Sequence, residues 1–183
     1  MNKEKDQNSY HKINLNWYPG HMLKTKKQII QDLKLIDVVI EILDARIPIA
    51  SQNPDIRQIT ANKKKIIVLN KSDLADEKET KRWIEYFKTQ GITAIPTDSN
   101  LGKGTKETLR AVQNLMQEDM EKAANKGRTN KNIRIMICGI PNVGKSSFIN
   151  RMINKKSAEV GNKPGVTKQK QWLRISSNIE LLD

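Results

Sequence analysis

Short apolar runs recur along the chain and predict the strands of a sheet. Four of them are rich in β-branched residues and span residues 36–43, 65–69, 92–95 and 133–138. Runs of this length between polar segments are typical of strands that are buried on both faces. Two shorter runs, residues 172–175 and 179–182, are joined by a Ser-Ser-Asn turn and predict two further strands.

The segments between these runs carry apolar residues at helical spacing. Asp76 is a predicted N-cap, because Glu79 follows three residues later, and Gly91 is well placed to end that helix. A second amphipathic helix is predicted from about residue 105 to 124, and a third follows residue 146. Strands that alternate with helices predict an α/β fold, with a mostly parallel six-stranded sheet and helices on both faces.

A glycine-rich loop follows the strand of residues 133–138 and precedes a predicted helix. It reads Gly-Ile-Pro-Asn-Val-Gly-Lys-Ser over residues 139–146, the spacing of a phosphate-binding loop. Backbone N–H groups and the positive end of the helix dipole favour a phosphate there. We predict that Lys145 reaches the β- and γ-phosphates and takes up charge during catalysis, while the Ser146 hydroxyl binds Mg²⁺. The predicted phosphate-binding residues are Asn142, Val143, Gly144, Lys145, Ser146 and Ser147.

A second motif, Asn-Lys-Ser-Asp at residues 70–73, directly follows the strand of residues 65–69. An aspartate carboxylate can accept hydrogen bonds from N1–H and the N2 amine of guanine, and adenine offers neither donor. Taken alone, such a tetrapeptide is also typical of turns and helix caps, and the presence of a phosphate loop favours the nucleotide interpretation. The predicted guanine-binding residues are Asn70, Lys71, Ser72 and Asp73, with Ser99 and Asn100 from the loop after the next strand.

These two motifs stand in an unusual order. The guanine motif precedes the phosphate loop by about seventy residues, whereas an ordinary small GTPase begins with its phosphate loop. A polar, basic segment at residues 125–132 marks the position where the two ends of an unpermuted domain would meet. The order predicts a circularly permuted P-loop GTPase domain.

The composition of the chain indicates the cellular compartment in which we expect this domain. Mean hydropathy is −0.66, and the chain has no apolar stretch long enough for a membrane span. Residues 1–16 are polar and lack the apolar core of a signal peptide, so we expect a flexible N-terminal extension. The single cysteine, Cys138, excludes an intrachain disulfide and fits a cytoplasmic protein.

The net charge of +13 indicates the chemical class of partner that the protein binds. A surplus of this size favours a polyanion such as RNA, although a lysine-rich solvated surface is the alternative. Lysine accounts for 25 of the 33 basic residues, and lysine contacts phosphates rather than reading bases. We therefore expect no DNA sequence specificity.

With these residues in hand, the chain resembles the YlqF/RbgA family of circularly permuted GTPases (ribosome biogenesis GTPase A). The resemblance runs from Trp17 onward and rests on the two motifs and three further segments. These segments are Trp-Tyr-Pro-Gly-His-Met at 17–22, Asp-Ala-Arg-Ile-Pro at 44–48 and Pro-Gly-Val-Thr at 164–167. The resemblance implies a GTPase that acts in late assembly of the large (50S) ribosomal subunit, with the subunit precursor and rRNA as partners.

The resemblance also implies roles for single residues. Thr167 and Asp183 match switch residues that help to hold Mg²⁺, and Asn142 matches an asparagine associated with a K⁺ ion beside the phosphates. His21 matches a histidine proposed to orient the attacking water, in place of the glutamine that the family lacks. Two alternatives stay open: Asn142 could only shape its loop, and His21 could only close the Pro-Gly turn.

The sequence ends at Asp183, where the family continues with Thr-Pro-Gly and a C-terminal RNA-binding domain. We expect residues 17–183 to form the GTPase domain up to the start of its second switch, without the RNA-binding domain and with weak hydrolysis. Two other functions are open. One is a permuted GTPase acting on the small subunit or another RNA, and the other is a nucleotide-gated RNA-binding module with negligible turnover.

Overall fold

The computed structural model describes residues 20–128, 131–153 and 172–182, with the backbone alone for residues 20–26. Strands and helices alternate along most of these ranges. The strands are β1 (Val38–Asp44), β2 (Lys64–Asn70), β3 (Thr93–Thr97), β4 (Ile133–Cys138), β5 (Trp172–Arg174) and β6 (Ile179–Leu182). The helices are α1 (Gly20–Leu33), α2 (Pro54–Ile59), α3 (Glu77–Thr89), α4 (Thr105–Asn125) and α5 (Lys145–Met152), with a 3₁₀ turn at Ser72–Leu74.

The six strands of the described residues form one sheet in the order β3-β2-β1-β4-β6-β5. Neighbouring strands are parallel except for β5 and β6, which are antiparallel. The predicted mostly parallel α/β sheet is therefore confirmed. Asp44 of β1 is in register with Asn70 of β2, and Glu41 of β1 with Cys138 of β4, so the carboxyl ends of these central strands lie side by side.

The position of β4 in the sheet shows the circular permutation in the fold. This strand leads into the phosphate loop and lies in the middle of the sheet, between β1 and β6. In an ordinary small GTPase it would be the first strand, whereas here three strands precede it. The predicted circular permutation is confirmed by this topology, because the guanine motif after β2 still lies on the same sheet edge as the phosphate loop.

Alternating side chains of the central strands supply an apolar core on each face of the sheet. Ile40 and Ile42 of β1 are fully buried and belong to the same core as Phe148 of α5. On the opposite face, Phe87 of α3 and Leu33 of α1 each anchor a further buried cluster. Burying a side chain of this size contributes roughly 1.5–3 kcal/mol, so the sheet is a rigid base for the loops at its edge.

Two helices and one strand boundary differ from the sequence predictions. α1 begins at Gly20, within the segment interpreted as a Pro-Gly turn, and α2 has only six residues behind an Asn53 cap. β1 begins at Val38 rather than at residue 36, because Ile36 closes the turn after α1 through a hydrogen bond from its N–H to the Leu33 carbonyl (3.2 Å). Among the described residues, no helix combines the length and apolar character needed to cross a bilayer.

Candidate nucleotide-binding site

The loops after the central strands meet at the carboxyl edge of the sheet. The N–H of Ala45, after β1, donates to the Asn70 carbonyl at 2.8 Å, and the N–H of Ser99, after β3, donates to the Asn70 side chain at 3.2 Å. Open α/β sheets bind ligands in the crevice outside this edge. Both predicted motifs lie there.

The phosphate loop leads from the end of β4 into the first turn of α5. Gly144 is the N-cap with a φ of 97°, and Lys145 and Ser146 are the first helical residues. N–H groups in a first turn have no acceptor within the helix, and they carry the positive end of the helix dipole. This geometry favours an anion at the position predicted for phosphate.

The side chain of Lys145 folds back over this loop. Its Nζ donates to the Ile140 carbonyl at 2.7 Å. Burial lowers the pKa of Lys145, because an ammonium withdrawn from water loses part of its solvation. A phosphate beside the ammonium would offset that loss. Ser146 and Ser147, in the same turn, are exposed.

Two backbone positions shape the phosphate loop. Gly139 has a φ of 152°, and a Cβ there would lie 2.5 Å from the Ile42 carbonyl oxygen, so only glycine lets the loop pass this close to β1. Asn142 is exposed and has a φ of 66°, which is uncommon outside glycine. The loop therefore holds a conformation that its neighbours must stabilise.

Asn70 joins the phosphate loop to the loop after β3. Its side chain is buried, with Nδ2 donating to the Val143 carbonyl at 2.7 Å and Oδ1 accepting from the Ser99 hydroxyl at 2.7 Å. The contact with the phosphate loop is close, since a Cβ on Gly144 would lie 2.2 Å from Nδ2. The guanine motif and the phosphate loop are therefore in direct contact.

The next residues of the guanine motif turn the chain toward solvent. Lys71 has a left-handed backbone (φ 60°, ψ 34°) and its Nζ donates to the Asn142 carbonyl at 2.7 Å. The 3₁₀ turn that follows contains Ser72 and Asp73, and Asp73 is exposed. The Asp73 carboxylate is thus accessible to a base at the edge of the site.

The loop after β3 is closed by its own hydrogen bonds. Asp98 Oδ1 accepts from the N–H of Asn100 at 2.8 Å, while Arg151 of α5 donates from Nε to the Ser99 carbonyl at 3.2 Å and also binds the Asn100 carbonyl. Ser99 acts on the site through Asn70. Contacts from Ser99 and Asn100 to a base stay a prediction.

Three predicted site residues are not part of this geometry. Thr167 and Asp183 lie outside the described residues, as does the predicted N-terminal extension. The backbone of His21 lies in the first turn of α1. This helix ends at Leu33, which packs in one cluster with Val39 near the amino end of β1, and about 18 Å of helix separates Leu33 from His21. The position of His21 relative to the nucleotide site stays a prediction.

Sequence reasoning gave no role in the site to three residues that support it: Asp44, which it used only as part of a family segment, Asp98 and Arg151. Asp44 had a readable signal, because it ends the buried strand beside the one that carries the guanine motif. Asp98 had a weaker one, as an aspartate at the start of a tight loop. Arg151 had none, since its position is also typical of a solvated helix face.

Comparisons with known proteins agree with this geometry. The family model described as 50S ribosome-binding GTPase matches residues 134–183. Ribosome biogenesis GTPase A of Priestia megaterium is 46% identical over 172 residues, which are 93% of this chain and 60% of that protein. The protein of the same name from Thermotoga maritima is 38% identical over 92% of this chain and 57% of its own length. The crystal structure of GNP-bound YlqF from T. maritima matches with a TM-score of 0.62 and 33% identity, covering 87% of this chain and 56% of that one.

The chain spans about 60% of the length of these curated relatives. On this sequence identity and topology, the chain is similar to Ribosome biogenesis GTPase A and to YlqF over the span that it shares with them, and it has the same circularly permuted GTPase fold.

Proposed function

We propose that this chain binds guanine nucleotides and hydrolyses GTP as a switch in late assembly of the large ribosomal subunit. The observation that carries the proposal is the position of Asn70, which donates to the phosphate loop and accepts from the loop after β3. Two motifs about seventy residues apart in sequence are therefore in direct contact at one edge of the sheet. A nucleotide with its base at one end and its phosphates at the other fits this arrangement.

Guanine recognition would centre on Asp73. Its exposed carboxylate offers acceptor oxygens to N1–H and the N2 amine of guanine, and adenine would leave these acceptors unpaired. Nδ2 of Asn70 carries two hydrogens, of which the Val143 carbonyl takes one, and we assign the other to the opposite edge of the base. The aliphatic stem of Lys71 would pack over the ring, with Ser72, Ser99 and Asn100 completing the contacts.

Phosphate binding would use residues 142–147, with Lys145 moving from the Ile140 carbonyl to the β- and γ-phosphates. Ser146 presents an exposed hydroxyl at the start of α5, and a hard oxygen of this kind suits Mg²⁺. Ser146, Thr167 and Asp183 would hold the ion. When bound, Mg²⁺ supplies positive charge against the oxygens of the β- and γ-phosphates.

Two further residues are proposed for the hydrolytic step. His21 would orient the attacking water, a role that a neutral imidazole can fill. Asn142 is exposed on the phosphate loop, and its side chain would help to hold a K⁺ ion beside the phosphates. A cation held there would supply the positive charge that an arginine finger supplies in other GTPases.

A ribosomal partner is supported by the names of the relatives, Ribosome biogenesis GTPase A, and by the matching family description. The net charge of +13 suits contacts with rRNA phosphates. We propose the precursor of the large subunit and its rRNA as partners, encountered in the cytoplasm.

Single-turnover hydrolysis of GTP with purified ribosomal subunits tests this function. We expect large subunits to accelerate hydrolysis by at least about tenfold and small subunits to leave the rate unchanged. His21→Ala should remove most of that acceleration, because a positioned acid–base group contributes about 10²–10⁴ in rate, while GDP affinity is retained. His11→Ala replaces the other histidine of the chain and serves as the matched control.

The outcomes separate the alternatives. Acceleration by small subunits alone would favour a GTPase of that particle. Tight GTP binding without turnover under any of these conditions would favour a nucleotide-gated RNA-binding module. A normal accelerated rate in His21→Ala would remove His21 from the mechanism.

A further inference from the structure

Asp44, at the carboxyl end of β1, is a buried carboxylate that accepts hydrogen bonds from two separate loops. Its side chain is 6% exposed. Arg46 donates from Nε to Oδ1 at 2.9 Å, from Nη2 to Oδ2 at 2.7 Å, and from its backbone N–H to Oδ1 at 3.1 Å. Lys71 Nζ donates to Oδ2 at 3.0 Å. These four donors fill the acceptor positions that a carboxylate offers.

This carboxylate is a permanent anion. The hydrogen bonds from the Arg46 guanidinium, and then those from Lys71, hold the pKa of Asp44 far below its usual range in spite of its burial. A negative charge beside a site for phosphates would normally weaken their binding. Here two cations face one carboxylate, so the cluster leaves a positive surplus beside the phosphate loop.

Lys71 links Asp44 to the phosphate loop. Its ammonium donates both to Asp44 and to the Asn142 carbonyl, at 3.0 and 2.7 Å. Lys71 and Asn142 both have positive φ angles, 60° and 66°, which are unfavourable for residues with a Cβ. A single ammonium therefore ties two strained backbone positions to each other and to the rigid end of β1.

We propose that Asp44 is a positioning residue for the guanine nucleotide. It holds the Lys71 ammonium on the Asn142 carbonyl, and thereby fixes the guanine motif relative to the phosphate loop, without touching the nucleotide itself. Arg46 is 47% exposed and completes the hydrogen bonding of the carboxylate, but it makes no contact of this kind with the phosphate loop. The inference rests on the nucleotide binding proposed above.

Equilibrium binding of a fluorescent GDP analogue tests this role. Asp44→Asn keeps the size of the side chain and removes its charge, and we expect the dissociation constant to rise by at least about tenfold. In a Lys71→Met background the same substitution should change the constant by less than about threefold, because the group through which Asp44 acts is gone. A merely structural role would give the same loss in both backgrounds.

Three further variants keep the test decisive. Asp37 lies just before the amino end of β1, opposite to the site, and accepts a hydrogen bond from the Arg134 N–H. The Asp37→Asn protein should therefore bind GDP normally. Arg46→Gln leaves the Asp44–Lys71 contact in place but removes one of the two cations, so we expect its loss of GDP affinity to be clearly smaller than that of Asp44→Asn. If Asp44→Asn fails to fold, the double variant Asp44→Asn/Arg46→Gln removes both charges together and takes its place.

Each outcome points to one conclusion. Absence of GDP binding by the unmodified protein would refute the proposed function. Normal binding by the unmodified protein with equally tight binding by Asp44→Asn would overturn the role of Asp44 alone. A loss in Arg46→Gln that equals the loss in Asp44→Asn would assign the effect to Arg46 and also overturn it.

Discussion

At the scale of single residues, most side chains at the carboxyl edge hold loops rather than face a ligand. Asn70 and Lys71 each bind the carbonyl of a phosphate-loop residue, and Arg151 binds the carbonyl of Ser99. Asp73, by contrast, is exposed. In the proposed nucleotide complex, specificity for the base would therefore depend on the accessible Asp73 carboxylate, and affinity would depend on how closely the loops approach each other.

The close contact between Gly144 and the Asn70 side chain gives a direct prediction. Gly144→Ala places a methyl group 2.2 Å from Asn70 Nδ2, so either the Asn70 amide must leave its hydrogen bonds to Val143 and Ser99 or the phosphate loop must move. We expect GDP affinity to fall by at least about tenfold and the free energy of unfolding to fall by about 1–3 kcal/mol. Gly127→Ala is the matched control, since Gly127 also has a positive φ, 76°, but has open space around it. Its cost should be about 1 kcal/mol of backbone strain, with normal GDP binding.

GDP titration and urea unfolding of both variants measure these effects. A Gly144→Ala protein that binds GDP as tightly as the unmodified protein would show that the contact between Asn70 and the phosphate loop does not govern affinity.

At the scale of elements, the sequence predicts the helices whose ends carry recognisable capping residues. α3 was predicted with both ends: Asp76 accepts from the Glu79 N–H at 2.9 Å, and Gly91, with a φ of 71°, follows its last turn. α1 lacks such a signal, because Gly20 at its start is typical of a turn. α2 is too short for an apolar period, and its Asn53 cap is recognisable only once the turn is seen.

The cap of α3 can be tested in isolation. Asp76→Ala removes the acceptor for the Glu79 N–H, and we expect the free energy of unfolding to fall by about 1 kcal/mol. Glu85→Ala on the same helix removes an exposed carboxylate whose pairing with Lys88 is long, at 3.6 Å, and should cost much less. Urea unfolding compares the two, and equal losses would argue against the cap. GDP affinity should be normal in both.

At the scale of the whole molecule, the order of two motifs was enough to predict the permuted fold. Each motif lies directly after a buried strand, and a parallel sheet brings such strand ends to one edge whatever their order in the chain. The contacts that complete the site were not predictable in this way. Asp44 and Lys71 are 27 residues apart, and Arg151 and Ser99 are 52 apart, so no local pattern connects them. The roles of His21, Thr167 and Asp183 stay predictions.

Nucleotide competition tests the central claim, that one cleft at the carboxyl edge reads guanine through Asp73 and holds phosphate through the loop before α5. In this assay, GDP, ADP or XDP is titrated against a fluorescent GDP analogue that is bound to the protein. We predict that GDP displaces it at concentrations at least about a hundredfold lower than ADP. In Asp73→Asn the preference should move to XDP, because an amide donor then faces the carbonyl that replaces the guanine N2 amine. Equal displacement by GDP and ADP, or an Asp73→Asn protein that still prefers GDP, would contradict the claim.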